Sequence, residues 1–211
     1  ISGWKKVVGR VPGLPQKAVG KVWVADVPNY GGADLLFRQL WINGEKAINA
    51  KHFNGDQMGR ILSWNAEKET CTIPLPQNIN LNQSSSMEML IHQWWAVANL
   101  RVKSAKIAGN TLELRFMQPE SRIQSEHPWP APWISQKTGN SAFNLYNSIQ
   151  FLDQPGEWFE DLKNHKLYYW PKATEDLKIA TVIAPVLEQL LKVEGDIDHQ
   201  VAHIAFKGIS F

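Results

Sequence analysis

Cysteine is the scarcest residue type in this sequence of 211 residues. The single Cys71 excludes a disulfide framework and any zinc site that is built from several cysteines. The six histidines lie at positions 52, 92, 127, 165, 199 and 203. Their dispersed spacing matches none of the histidine motifs that hold metals, so we expect neither a metal nor another cofactor.

Long apolar runs and an excess of charge of one sign are also missing. No stretch approaches the roughly 18 apolar residues of a membrane span, so we expect none. The 22 lysines and arginines nearly balance the 20 acidic residues, and a net charge of +2 argues against nucleic acid as a partner. The glycines form no nucleotide-binding motif, and the serines at 84–86 lack the context of a hydrolase nucleophile.

The residues that are present indicate a folded, all-β chain. Hydrophobic residues make up 44% and charged residues 20%, which is typical of a packed domain. Alternating, β-branched residues predict a strand over 21–27, and strands over 35–42 and 46–51 flank the turn signal Asn43-Gly44. We therefore expect a three-stranded antiparallel meander over residues 20–51.

The remaining strands are predicted downstream of this meander. We expect strands over residues 87–92, 100–107, 111–117, 157–159, 166–170 and 178–184, several of them paired as hairpins. Apolar residues at helical spacing predict one short helix over 142–152, whereas the polar segments 52–86 and 118–141 are predicted as loops. The whole pattern is typical of an antiparallel β-sandwich.

The C-terminal tail has a different pattern. Short apolar strands are predicted over 190–195 and 203–211, broken by Gly and Asp, which is typical of one coil of a parallel β-helix. The sequence stops inside this pattern, so we expect a longer protein. We also expect the unpaired strand edge at 203–211 to self-associate, because Ile204, Phe206, Ile209 and Phe211 add apolar side chains to it.

Tryptophans supply the candidate binding residues. Trp129 and Trp133 flank a proline-stiffened loop, and Trp94 and Trp95 follow His92 at the end of an apolar strand. A flat indole can stack on the C–H face of a sugar ring, so all five residues are candidate carbohydrate contacts. Packing of these tryptophans inside the sandwich is the alternative interpretation.

Glu157, Glu160 and Asp161 form the densest acidic group beside aromatic residues. Glycoside hydrolysis requires two carboxylates, about 5 Å apart for retention or about 6.5–9.5 Å apart for inversion. Glu157 and Asp161 would share one face of a strand. We favour a solvated hairpin beside the turn at 155–156, and therefore assign no catalytic residue.

Four sequence stretches resemble a known enzyme group. They are IQFLDQPGEWF at 149–159, KLYYWP at 166–171, FRQLWINGEKA at 37–47 and IAFKGISF at 204–211. Together they are similar to bacterial right-handed parallel β-helix glycoside hydrolases of the β-xylosidase and α-L-fucosidase/xylanase types. The resemblance implies a β-sandwich that is inserted between the first strands of the β-helix and its main body. It also implies that the catalytic carboxylates lie downstream of the stretch that this chain covers.

The resemblance implies an organisation in three parts. Residues 1–19 would be the incoming β-helix edge, 20–184 the inserted sandwich and 185–211 the first β-helix coil. The chain would be a non-catalytic N-terminal part of a polysaccharide-degrading glycosidase, with a glycan as partner. A carbohydrate-binding module and a structural cap of the β-helix are the alternatives.

The resemblance also implies a bacterial protein that is secreted, periplasmic or at the cell surface. Residues 1–4 do not show the charged and apolar regions of a signal peptide. We expect this chain alone to hydrolyse no glycoside.

Overall fold

The structure is a computed structural model that describes residues 1–29, 35, 37–127, 130–185, 187 and 189–210. Within these residues the chain forms fifteen strands and one α-helix. The elements are β1 (Lys5–Lys6), β2 (Trp23–Asp26), β3 (Trp41–Ile42), β4 (Glu45–Lys46), β5 (Ile48–Asn49), β6 (Gly59–Arg60), β7 (Ser63–Asn65), β8 (Thr70–Pro74), β9 (Glu88–His92), β10 (Val97–Ala108), β11 (Thr111–Phe116), α1 (Glu120–Glu126), β12 (Ala142–Tyr146), β13 (Glu157–Asp161), β14 (Lys166–Tyr169) and β15 (Val182–Ile183).

The largest sheet is antiparallel and has seven strands in the order β6-β12-β9-β10-β11-β8-β7. Alternate residues such as Met89, Ile91, Leu100 and Leu114 are buried in the main hydrophobic core. The residues between them lie on the opposite face, because successive side chains of a strand point to opposite sides. This outer face carries the polar residues that matter below.

A five-stranded sheet, β1-β2-β14-β13-β5, forms the middle layer of the molecule. Its β13–β5 pair is parallel and its other pairs are antiparallel. Phe159 of β13 packs into the main core, whereas Trp158 packs into a second core on the other face. That second core is closed by a small sheet, β15-β3-β4, which contributes Ile42 and Val182.

The predicted antiparallel β-sandwich is confirmed, and several elements lie where the sequence predicts them. Strands β2 and β9 and the hairpins β10–β11 and β13–β14 are confirmed. The turn at Asn43-Gly44 is also confirmed, since it joins the paired strands β3 and β4. Both turn residues have positive φ, at 50° and 82°, which is the conformation that Asn-Gly hairpins favour.

The predicted meander over 20–51 is wrong. Strand β2 lies in the five-stranded sheet, whereas β3 and β4 lie in the small sheet. Of the predicted strand over 35–42, only Trp41–Ile42 is a strand within the described residues. After β4 the chain leaves the hairpin, because Ile48 N–H donates to the Gly156 carbonyl and β5 runs parallel to β13.

The predicted helix over 142–152 is also wrong. Residues Ala142–Tyr146 form β12, and a short 3-10 helix follows at Ile149–Phe151. Ala142, Leu145 and Tyr146 fit helical spacing, whereas Phe143 and Leu145 fit the alternation of a strand. Strand β12 is held between β6 and β9. Pairing on both sides satisfies its backbone, so the sheet overrides the helical spacing.

Both predicted loops contain regular structure. The segment 52–86 includes β6, β7 and β8, and the last two form an edge hairpin of the large sheet. The segment 118–141 includes α1, which packs against β10 and β11. Polar composition alone fails here because the solvent-facing sides of an edge strand and of a surface helix are polar, as loops are.

The tail does not form the predicted strands within the residues that the structure describes. Residues 187 and 189–210 are exposed and contain no strand, so the strands predicted over 190–195 and 203–211 are wrong for these residues. Of the strand predicted over 178–184, only Val182–Ile183 is observed. In the described part of the chain, no helix has the length and apolar character needed to cross a bilayer.

Candidate functional site

Two of the tryptophans that are predicted as binding residues lie at the tip of the β9–β10 hairpin. Residues 93–96 form a tight turn, which we call the Trp turn, in which Gln93 N–H donates to the Ala96 carbonyl at 2.8 Å. Trp94 and Trp95 occupy its two central positions and are 52% and 63% exposed. Two neighbouring exposed indoles present flat apolar surfaces that are suited to contact a ligand.

Trp133 supports the Trp turn from a separate loop. Its ring stacks on that of Trp94, with centroids 5.0 Å apart and planes 25° apart. Its indole N–H donates to the Gly139 carbonyl at 2.7 Å, and its backbone bonds to Ser141 in both directions. Trp133 is therefore held in one orientation, and it fixes the ring of Trp94.

The structure thus brings four of the five predicted binding residues to one end of the seven-stranded sheet. His92 is half-buried at the end of β9, opposite Val97 and next to the Trp turn. Trp129 lies outside the described residues. The pairing that the structure shows is Trp94 with Trp133.

The solvated hairpin predicted for the acidic group is wrong, because Glu157 is only 1% exposed. Its Oε2 atom accepts hydrogen bonds from the backbone N–H groups of Asp153 and Gln154, at 2.8 and 2.9 Å. Burial raises the pKa of Glu157 to about 7. Glu157 therefore anchors the loop before β13 and has no access to a substrate.

Glu160 is also buried, at 4% exposure, but on the other face of β13. Burial raises the pKa of its carboxyl to about 8, although the backbone N–H of Phe37 donates to it. Asp161 closes the following turn by accepting two hydrogen bonds from Asn164. Glu157 and Glu160 cannot flank one glycosidic bond from opposite faces of a strand, so this hairpin holds no catalytic pair.

Glu160 faces a cleft that the sequence does not reveal. The cleft lies on the outer face of the large sheet, at the end of the β9–β10 hairpin far from the Trp turn, and has a volume of about 460 Å³. Its wall includes Glu88, Asn99, Arg101 and Asn147. The only sequence signal is the alternation that leaves polar residues at 88, 99 and 101 between buried apolar ones.

The described residues offer no metal centre, since they contain no group of three or more His, Cys, Asp or Glu side chains suited to hold an ion. Cys71 is buried in the main core, and burial raises the pKa of its thiol to about 12. The thiol therefore stays protonated and unreactive.

The chain is thus an antiparallel β-sandwich with an exposed aromatic turn, and its sequence is similar to known glycoside hydrolase sequences. Residues 20–172 match the sequence model of the GH141 insertion domain, so the chain belongs to this family. A solved structure titled "Glycoside hydrolase" is 40% identical, with a TM-score of 0.79. The alignment covers 95% of this chain and 33% of that one, so this chain spans about a third of that structure's length. No curated protein matches.

Proposed function

We propose that this chain is a non-catalytic accessory region of a polysaccharide-degrading glycoside hydrolase, and that its Trp turn contacts the glycan at the edge of the substrate cleft. The observation that carries the proposal is the stack of Trp94 on Trp133 beside the exposed Trp95. Two indoles at a hairpin tip offer apolar faces of about the size of a sugar ring. Because Trp133 is held by Gly139, the surface is preorganised and loses little side-chain entropy on binding.

The proposed absence of catalysis follows from the carboxylates. The two buried glutamates of β13 lie on opposite faces, and Asp161 is used by its own turn. We expect no release of product from aryl β-xylosides or α-L-fucosides by the purified chain. Turnover that is lost in a Glu157→Gln or Glu160→Gln variant would contradict this part of the proposal.

The domain organisation of the chain and the type of its parent enzyme are part of the same proposal. We place the sandwich at residues 20–184, inserted into the start of a right-handed parallel β-helix to which 1–19 and 185–211 contribute. The parent enzyme would be a bacterial glycosidase of the β-xylosidase or α-L-fucosidase/xylanase type, secreted, periplasmic or at the cell surface. Membership of an insertion-domain family supports this arrangement, because an inserted domain requires a host fold.

The test is glycan binding by calorimetry with soluble xylan and fucosylated oligosaccharides. We expect Trp94→Ala and Trp95→Ala each to weaken binding by about tenfold, since each removes one stacking face worth about 1 kcal/mol or more. Ile179→Ala is the matched control, because Ile179 is 84% exposed and lies outside the Trp turn.

Three outcomes separate the alternatives. Binding that requires the Trp turn supports the proposal, and tight binding by the chain alone favours a carbohydrate-binding module. The absence of binding to any of these glycans would contradict the proposal and leave the structural cap of a β-helix.

A further inference from the structure

The polar cleft around Glu160 continues into a second lobe. The inner lobe, of about 460 Å³, is the cleft described above, and the outer lobe has a volume of about 450 Å³. The lobes share Arg38, Asn49, Glu88 and Asn99 in their walls. Each lobe is therefore large enough for a sugar unit or more, within the size range of ordinary ligand sites.

We propose that this cleft is a second glycan-binding site, separate from the Trp turn, which holds a segment of a neutral oligosaccharide. Its ligand class agrees with the proposed function, but it rests on different residues and can be tested without it.

A buried polar group in the wall lacks a partner. The side-chain oxygen of Asn99 is buried and accepts no hydrogen bond from the residues that the structure describes. A buried acceptor without a donor destabilises the fold, because the atom has lost its hydrogen bonds to water. Because the terminal torsion of asparagine is soft, the amide can turn this oxygen toward a hydroxyl group in the cleft. A sugar hydroxyl in the cleft would donate the hydrogen bond that the side-chain oxygen of Asn99 lacks.

The charges of the inner lobe are paired with one another. Arg38 lies 3.3 Å from Glu88, and Arg101 binds Glu120 with two hydrogen bonds, at 2.5 and 3.0 Å. Glu160 is the remaining carboxyl, and its raised pKa keeps it protonated near neutral pH. The inner lobe therefore presents amides, a neutral acid and internally balanced ions. These groups suit an uncharged polyhydroxyl ligand better than an anion or a cation.

The outer lobe supplies the apolar contacts that a sugar ring also needs. Ile48, Leu90 and Tyr146 line it together with Lys46 and Lys51. One of these lysines, Lys51, is already held by the Gly55 carbonyl at 2.7 Å. The C–H faces of a pyranose pack on aliphatic and aromatic side chains of this kind.

The backbone around the cleft is fixed before any ligand binds. Asn147 is buried, and its side chain bonds to the Ser86 carbonyl and to both backbone groups of Glu160. This side chain joins the end of β12 to the middle of β13. The wall that carries Glu160 is therefore preorganised, which lowers the cost of binding.

The experiment is a titration of the isotope-labelled chain with a panel of neutral tetrasaccharides, including xylotetraose, followed by amide chemical shifts. We expect shifts at Leu90, Asn99 and Tyr146. An Asn99→Leu variant should weaken this binding by about tenfold while keeping or raising the thermal midpoint, because it removes an unsatisfied oxygen. A purely structural role of Asn99 would instead lower the midpoint.

Two variants keep the test decisive. Asn144→Leu, a matched change on the same sheet, loses two hydrogen bonds to Phe53 and should lower stability without changing the affinity of the folded chain. Glu160→Gln keeps a neutral hydrogen-bonding group and should bind within about threefold of the wild type.

The outcomes distinguish this site from the Trp turn. Shifts that survive Trp94→Ala but vanish in Asn99→Leu support the cleft. Shifts that are confined to the Trp turn overturn the cleft and leave the proposed function standing. No shift with any tetrasaccharide overturns the cleft, and unchanged xylan binding in the same sample would still preserve the proposed function.

Discussion

The two ends of the β9–β10 hairpin offer two different surfaces. At one end the Trp turn exposes Trp94 and Trp95 to solvent. The turn is held in place by the stacking of Trp94 on Trp133 and by the backbone hydrogen bond within the turn. At the other end Glu88 of β9 lies opposite Arg101 of β10 in the strand register, and residues of other elements complete the cleft around them. The outer face thus carries exposed indoles at one end of the hairpin and a polar pocket, covered by neighbouring elements, at the other end.

The Trp turn and the cleft therefore differ in how much of the fold each one requires. The Trp turn needs one hairpin and one supporting loop, so it should tolerate changes elsewhere. The cleft needs β5, β9, β10, β13 and the first turn of α1 at once, and it contains the buried side chain of Asn147, whose hydrogen bonds depend on several segments. We expect the loss of a hydrogen-bonded buried group of the cleft, such as Asn147, to cost much more stability than damage to the turn.

The largest effect is expected for Asn147→Ala, which should lower the free energy of unfolding by about 3–5 kcal/mol. The change removes three buried hydrogen bonds and leaves backbone groups of Ser86 and Glu160 unsatisfied. It also places alanine at a φ of 52°, which is unfavourable for a residue with a Cβ. Urea unfolding measures the loss.

Asn78→Ala is the matched control for this change. Asn78 has a similar φ of 58° but is exposed, so its substitution should cost only about 1 kcal/mol. Equal losses in the two variants would show that the cleft does not depend on the buried side chain of Asn147.

The second effect is a dependence of stability on pH. Burial raises the pKa of Glu157 to about 7 and that of Glu160 to about 8, above the ordinary value of 4.5. At a pH between 4.5 and these raised values, the two glutamates hold protons in the folded chain that they have released in the unfolded chain. Stability should therefore fall as the pH rises from about 4.5 to about 8, by at least about 2 kcal/mol in total, and level off above that.

Glutamine variants isolate this contribution. Burial lowers the pKa of His52, which acts in the opposite direction at acid pH, so the quantity to compare is the difference between wild type and variant. A double Glu157→Gln, Glu160→Gln variant should show a flatter profile of urea midpoint against pH. The same slope in the variant and the wild type would rule out both glutamates as its source.

The sequence predicts Trp94 and Trp95 at the end of a strand, but it predicts neither the turn that they form nor the cleft, for a physical reason. Trp94 and Trp95 follow an apolar strand directly, so a local pattern places them at its end. The cleft residues come from segments as distant as Asn49 and Glu160, and no local pattern records that they meet. The burial of Glu160 is likewise decided by what packs over β13.

The errors in secondary structure have a related cause. Strand β12 carries apolar residues at both helical and alternating spacing, and only its neighbours β6 and β9 decide between them. Hairpins with strong turn signals, such as the one at Asn43-Gly44, are predicted correctly because the turn itself contains the information. The pairing of β5 with the distant β13 is not predicted, because no local pattern records it.

The smallest effect is expected at the Trp turn, for Trp133→Phe. The change keeps an aromatic ring against Trp94 but removes the hydrogen bond from the indole N–H to the Gly139 carbonyl. Because this bond is exposed, its loss should cost only about 0.5–1 kcal/mol of stability. Binding to xylan at the Trp turn should weaken by about two- to fivefold, since the ring of Trp94 is no longer held in one orientation.

Trp64→Phe is the control, because Trp64 stacks on Phe116 within the fold and should change stability by a similar amount without changing affinity. If Trp133→Phe costs as much stability as Asn147→Ala, the Trp turn is a packing element of the sandwich, and the contrast between the two ends of the hairpin is wrong.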